Sequence, residues 1–204
     1  MTNFYSPAET KLISRLDNPK KIQDFVNRLA INFEKNGETC WSPRLVLRKR
    51  AAHCMEGALL AAAILEYHGY KPLVMDLMAK RPDDDHVVAL FKVGGYYGAI
   101  SKTNHAVLRY REPVYKTLRE LALSYFHEYF THDGKKTLRS FAGPINLNKY
   151  NELNWRTSEK DLFAIPQSFN KIPHHKFLTK AQARNLRKAD PIEIKAGKLV
   201  ERRG

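Results

Sequence analysis

The chain has 204 residues and a formal net charge of +14 at neutral pH, a length that fits one domain with extensions. A hydrophobic share of 43% is enough for a core, but the longest apolar run, Gly57 to Leu65, is far too short to span a bilayer. Cys40 and Cys54 are the two cysteines, too few for a disulfide scaffold, and the N-terminus has no basic stretch followed by an apolar one. The expectation is therefore a cytoplasmic protein with reduced thiols, no secretory leader and no membrane partner.

In chain order, Ser6-Pro7 starts a helical region. Ile22, Phe25, Val26, Leu29, Ala30 and Phe33 recur at helical spacing, and Asn36-Gly37 is the expected stop. Ser42-Pro43 opens a second helical segment, and residues 44 to 50 carry four cations and no anion. Residues 51 to 68 are apolar nearly all round, which predicts a buried helix closed by Gly69. Residues 71 to 78 read as a strand. His86 to Val93, Gly94-Gly95 and Tyr96 to Ser101 read as strand, tight turn and strand.

An aromatic helical stripe is expected from Glu112 to Tyr129, packed as core. Phe141 to Tyr150 is turn-rich, Trp155 to Phe163 is a candidate short helix, and residues 191 to 201 read as a small hairpin. The predicted organisation is one α+β domain over residues 1–130, followed by a basic C-terminal extension over 131–204, packed on the core or partly mobile.

Chemistry concentrates on two residues. Cys54 stands at the head of the buried helix and His86 at the head of a strand, as a thiol nucleophile and its base would. The positive end of the helix dipole lowers a thiol pKa, and a neighbouring imidazole lowers it further. Backbone N–H groups at the helix start are suited to holding an oxyanion. Trp41 offers an indole N–H as a second donor or forms part of a lid or the core. Glu56 is either a structural partner of Arg48 or Arg50, or a group for a substrate amine. Arg109 and Arg111, among Tyr110 and Tyr115, are candidates for binding a carboxylate or phosphate. His53 reads as a cap or surface residue. The histidine spacings match no metal motif, so neither a metal nor a cofactor is expected.

Four stretches carry a family resemblance: His-Cys-Met-Glu-Gly-Ala (53–58), Tyr-His-Gly-Tyr-Lys-Pro (67–72), Asp-Asp-His-Val-Val (84–88) and Gly-Gly-Tyr-Tyr-Gly-Ala-Ile-Ser-Lys-Thr (94–103). Over residues 38 to 105 the chain resembles the transglutaminase-like branch of the papain-like fold. That resemblance implies a Cys-bearing buried helix packed on an antiparallel sheet, with Cys54 as nucleophile and His86 as base. The family places a third residue, usually Asp, at the end of the following strand, and here that position is Ser101. A serine hydroxyl accepts from the imidazole but brings no negative charge. Asn104, Asp84 and Asp85 are the other candidates near His86.

Two functions follow. One is a cysteine-dependent acyl-transfer enzyme acting on a peptide or protein, with hydrolysis of a peptide, isopeptide or other amide bond expected over cross-linking. The alternative is a catalytically weak or inactive module on the same fold that docks an acidic protein or nucleic acid through its basic surface.

Overall fold

The structure, a computed structural model, describes residues 4–202. Met1 to Asn3, at the start of the stretch read for a leader, and Arg203 and Gly204, at the end of the basic stretch, lie outside the described residues. Two short helices open the chain, α1 (Pro7–Ile13) and α2 (Pro19–Arg28), each with Pro in its first turn and a side-chain cap from Ser6 or Asn18. The apolar stripe expected to stay helical to Phe33 leaves the helix at Arg28. Leu29 is extended, and Ala30 donates to the Arg50 carbonyl instead of continuing the spiral. This forms a parallel pair of two-residue strands, β1 (Ala30–Ile31) and β2 (Ala51–Ala52). Helix α3 (Pro43–Lys49), capped by Ser42, lies between them, and α4 (Cys54–Tyr67) follows β2 after a single residue.

The main sheet has six strands: β3 (Leu73–Ala79), β4 (His86–Val93), β5 (Tyr96–Ile100), β6 (Arg111–Tyr115), β7 (Leu138–Asn146) and β8 (His175–Lys176). Their order is β6-β5-β4-β3-β7-β8, antiparallel throughout. The β4–β5 turn uses Gly94 and Gly95, both at positive φ (58° and 87°), as a two-residue hairpin turn requires. Alternating side chains serve the two faces. Val74, Val87, Ala89, Phe91 and Ile100 pack with α4 and the N-terminal helices. Met75, Leu77, Val88, Leu90 and Ala99 pack with Leu121, Tyr125, Tyr129 and Phe177. The chain is thus a mixed helix-and-sheet protein of α+β type. No helix among the described residues is long and apolar enough to cross a membrane.

Several expectations change in the second half. The stripe from 112 to 129 is not one helix. It begins as the edge strand β6, where Pro113 is tolerated because an edge leaves one side of the backbone unpaired. Helix α5 (Leu118–Leu123) starts only at the Thr117–Glu120 capping box. Residues from 131 onward, expected as an extension on the core, supply β7, an inner strand between β3 and β8, where a turn-rich stretch was anticipated. They also supply Trp155, whose side chain is fully buried. The helix expected over 155–163 instead forms as α6 (Ala164–Phe169). After α7 (Lys180–Arg184), the expected terminal hairpin is α8 (Pro191–Gly197). Asp190 and Glu193 close its capping box, with Pro191 at its first position, and these local signals outweigh the alternation of Ile192 and Ile194.

Candidate active site

Cys54 is the first residue of α4, and His53 is its N-cap. The helix is buried almost all round, with only its first and last turns reaching partly into solvent. Its thiol is therefore partly exposed at the positive end of a helix inside the protein. Burial works against ionisation there, but hydrogen bonding from His53 and His86, and the charge of both rings, outweighs it. The thiol is pulled down to about 5. Cys40 provides the contrast. It is fully buried, and burial together with the Glu56 charge pushes its thiol up to about 12. Both cysteines are free.

His86 is the first residue of β4, and Ser101 directly follows the last residue of β5. Their side chains meet: His86 Nε2 lies 2.7 Å from Ser101 Oγ. The Ser101 hydroxyl donates its one proton to the Leu108 carbonyl at 2.5 Å. It can then only accept from His86, so Nε2 carries the hydrogen and Nδ1 is left as the free basic nitrogen. Leu108 itself sits at φ 60°, in the left-handed region uncommon for a side-chain-bearing residue. Its N–H donates to Glu128 Oε2 at 2.6 Å, and Glu128 Oε1 pairs with Arg111 at 2.6 Å. A continuous chain of hydrogen bonds therefore runs from His86 through Ser101, Leu108 and Glu128 to Arg111.

The Ser101 backbone is fixed as well. Its N–H donates to Gln23 Oε1 and its carbonyl accepts from Gln23 Nε2, at 2.9 and 2.8 Å. Gln23 is buried on α2, and its place in a helical stripe of apolar residues gave no sign of this role.

Close approach of helix and sheet depends on Gly57. A Cβ there would stand 2.4 Å from Lys102 Cβ. Lys102 is itself buried, donating to the Leu29 carbonyl at 2.6 Å, and burial lowers its ammonium to about 8. Gly57 is one turn along α4 from Cys54, and Lys102 follows Ser101. One missing side chain thus lets the Ser101 end of the sheet pack against the thiol-bearing turn.

The other sequence candidates take different places. Asn104 does not face His86: its side chain bonds the Arg202 backbone in both directions, at 2.8 and 3.0 Å, and so pins the C-terminal segment. Asp85 accepts from the Ala79 N–H across the β3–β4 connection, and Asp84 pairs with Arg81 at the surface. Arg111 is committed internally, to Glu128, Ser124 and the face of Tyr125. Arg109 pairs with Glu201 at 2.7 Å.

Glu56 meets neither Arg48 nor Arg50 and has no opening to a substrate amine. It is fully buried and accepts from Asn32, Thr39 Oγ1, the Trp41 N–H and the His53 N–H. Arg48 pairs with Glu159 instead. Trp41 contributes its backbone to this cluster, while its ring is partly buried under Lys49 Nζ, 4.8 Å from the centroid.

Three further groups are coupled to the charge on the sulfur, a part that sequence reasoning gave to none of them. His53, expected as a cap or surface group, is the N-cap of α4 and also acts on the thiol. Tyr129 has a buried hydroxyl with no hydrogen-bond partner among the described residues, and burial followed by the Cys54 charge pushes its phenol well up. Asp76 is buried on the α4 side of the sheet, 3.3 Å from His174 Nε2; burial pushes it up to about 6 against the pull of His174. Neither Asp76 nor Tyr129 lies in a motif, and only the folded chain puts them within reach of the charge on Cys54. Cavities flank the site: one of about 250 Å³ beside His53 and Met55, and one of about 430 Å³ against Leu108 and Tyr129.

No protein-family model matches the chain, and no curated protein is detectably similar to it.

Proposed function

We propose that the protein is a cysteine-dependent acyl-transfer enzyme with a transglutaminase-like active site, hydrolysing a peptide, isopeptide or other amide bond. The observation that carries this reading is the Cys54 thiol itself. It stands at the head of a buried helix beside two imidazoles that favour its thiolate over the cost of burial. The order of parts supports it too: a Cys-bearing helix, then a strand headed by His86, then a strand ending at Ser101, whose hydroxyl reaches the ring.

In this reading the Cys54 thiolate attacks the carbonyl carbon. The tetrahedral oxyanion is held at the start of α4 by the Cys54 N–H, for which the helix has no carbonyl. Collapse breaks the C–N bond, and the departing amine takes the proton that the free Nδ1 of His86 has picked up, from water in the preceding turnover, leaving a thioester on Cys54. His86 then takes a proton from water, which attacks the thioester. The acid leaves and the thiolate returns. Ser101 keeps the ring oriented throughout but supplies no countercharge, so it fixes geometry rather than stabilising imidazolium.

The test uses p-nitrophenyl acetate as acyl donor. The expected result is a burst of p-nitrophenolate and an acetyl group on Cys54 by mass spectrometry, both lost in Cys54→Ser and strongly slowed in His86→Ala. Absence of the adduct, or a burst indifferent to both substitutions, overturns the enzyme and favours a docking module on the same fold.

A further inference from the structure

We propose that His53 is a second base of this site: its Nδ1 takes the Cys54 proton, and the resulting imidazolium, held beside Glu56 and Glu34, is the resident countercharge of the thiolate. His86 is then left to carry on Nδ1 the proton that it takes from water in one turnover and gives to the departing amine in the next. The inference rests on the acyl-transfer reading for its purpose, but not for its measurement.

The geometry fixes the ring in the tautomer that a base needs. His53 Nε2 lies 3.0 Å from the Thr39 carbonyl, which can only accept, so Nε2 carries a hydrogen. His53 Nδ1 accepts the Met55 N–H at 3.3 Å, so it presents a lone pair to the first turn of α4, where the Cys54 sulfur begins. That cap is long for a hydrogen bond, and exchanging it for a proton shared with sulfur sacrifices little. Once Nδ1 is protonated it no longer accepts from Met55. The Met55 N–H is then released at the helix end, where an oxyanion would form.

The surroundings provide for the charge. His53 Nε2 is 3.4 Å from Glu56 Oε1 and 3.8 Å from Glu34 Oε1. Glu56 is fixed by four donors on three segments. Glu34 is fixed by the Thr39 N–H at 2.7 Å and sits at φ 51°, a left-handed conformation that a side-chain-bearing residue rarely adopts. On the other side, His86 acts on the sulfur, and Asp76 and Tyr129 feel its charge. His86 has only the neutral Ser101 hydroxyl on its far nitrogen. The carboxylates therefore stand behind His53 and not behind His86. In accord with this, the thiolate and Glu56 raise His53 to about 9 against the effect of burial, the largest influence on it.

The test is the pH profile of Cys54 carboxamidomethylation by iodoacetamide, read by mass spectrometry on the full chain. His53→Asn and His53→Ser both keep an N-cap and remove the base. Wild type is expected to react at a plateau from about pH 6 upward. Both variants should move the midpoint up by about two units or more, so that the rate at pH 6 falls about tenfold or further. His86→Asn should leave a midpoint still below about 8.5.

Folded His53 variants whose profiles overlay wild type overturn the proposal. A second measurement does not depend on those variants. In wild type at pH 7 the imidazole nitrogen shifts of His53 should report a doubly protonated ring, and in Cys54→Ala a neutral one. A neutral His53 in the wild type overturns the proposal outright. The two readings fail separately: a His53-dependent thiolate without an acetyl adduct defeats only the enzyme, and an acetyl adduct with a His53-independent profile defeats only the second base.

Discussion

At the residue scale the two cysteines of one chain are driven in opposite directions by the same burial. Cys54 is offset by two imidazoles and a helix end; for Cys40 burial and the Glu56 charge outweigh the one backbone donor, from Leu162, and it stays a protonated, buried thiol. Iodoacetamide at pH 6 should therefore modify Cys54 about 100-fold faster than Cys40, a difference read directly from peptide masses. Ser101 permits a sharper prediction. Removing its hydroxyl in Ser101→Ala should cut the acetylation rate of Cys54 about tenfold, the worth of one hydrogen bond of roughly 1–1.5 kcal/mol. Ser101→Asp should not restore the activity. The Leu108 carbonyl that accepts from the serine at 2.5 Å would face a carboxylate with no proton to give. The backbone around Leu108 thus makes serine the matching residue, and a rate for the Asp variant at or above wild type would show otherwise.

At the element scale the site is made where α4 meets the ends of β4 and β5. Neither element carries it alone. Gly57 is the point of closest approach, since any Cβ would collide with Lys102. Gly57→Ala should destabilise the fold by about 1–3 kcal/mol through overpacking, measured by urea unfolding. It should also slow Cys54 acetylation in the molecules that remain folded, because α4 must move away from the Ser101 turn. The elements were legible to different degrees. The Cys54 helix and the strand from His86 to Val93 were plain in the sequence, because one is apolar all round and the other is a continuous apolar run between turn residues. The helix expected from 112 to 129 was misread because a strand facing a buried sheet surface and a helical stripe share aromatic residues. Pro113 and the Thr117–Glu120 box were the signals that separate them.

At the scale of the whole molecule the second half of the chain completes the first. Strand β7 pairs with β3, and Arg156 forms a forked ion pair with Glu66 near the end of α4, at 2.5 and 2.6 Å. The buried Asp76–His174 pair joins β3 to the segment leading into β8. Its effect on stability has a defined sign. Folding raises Asp76 from its ordinary 3.8 to about 6, so the folded chain holds a proton that the unfolded chain has released between those values. The Asp76 contribution therefore favours folding increasingly as pH falls from 7 through 6 toward 4. Asp76→Asn should raise the melting temperature at pH 7.5, and its advantage over wild type should shrink toward pH 4.5. A constant difference across that range would show that Asp76 ionisation is not linked to folding.

The sequence alone determined what local patterns encode: a buried helix headed by Cys54, a strand headed by His86, the Gly94-Gly95 turn and the absence of a metal motif. Each follows from periodicity, capping or turn chemistry within a few residues. Only the tertiary structure decided which groups surround the thiol. Ser101 meets His86 because β4 and β5 pair in one register, and Gln23 reaches Ser101 across 78 positions. Asn104 turns to the C-terminus, and Glu56 gathers donors from segments that are distant in sequence. Hydrogen-bond partners of this kind depend on distances in space, and spacing along the chain carries no record of them.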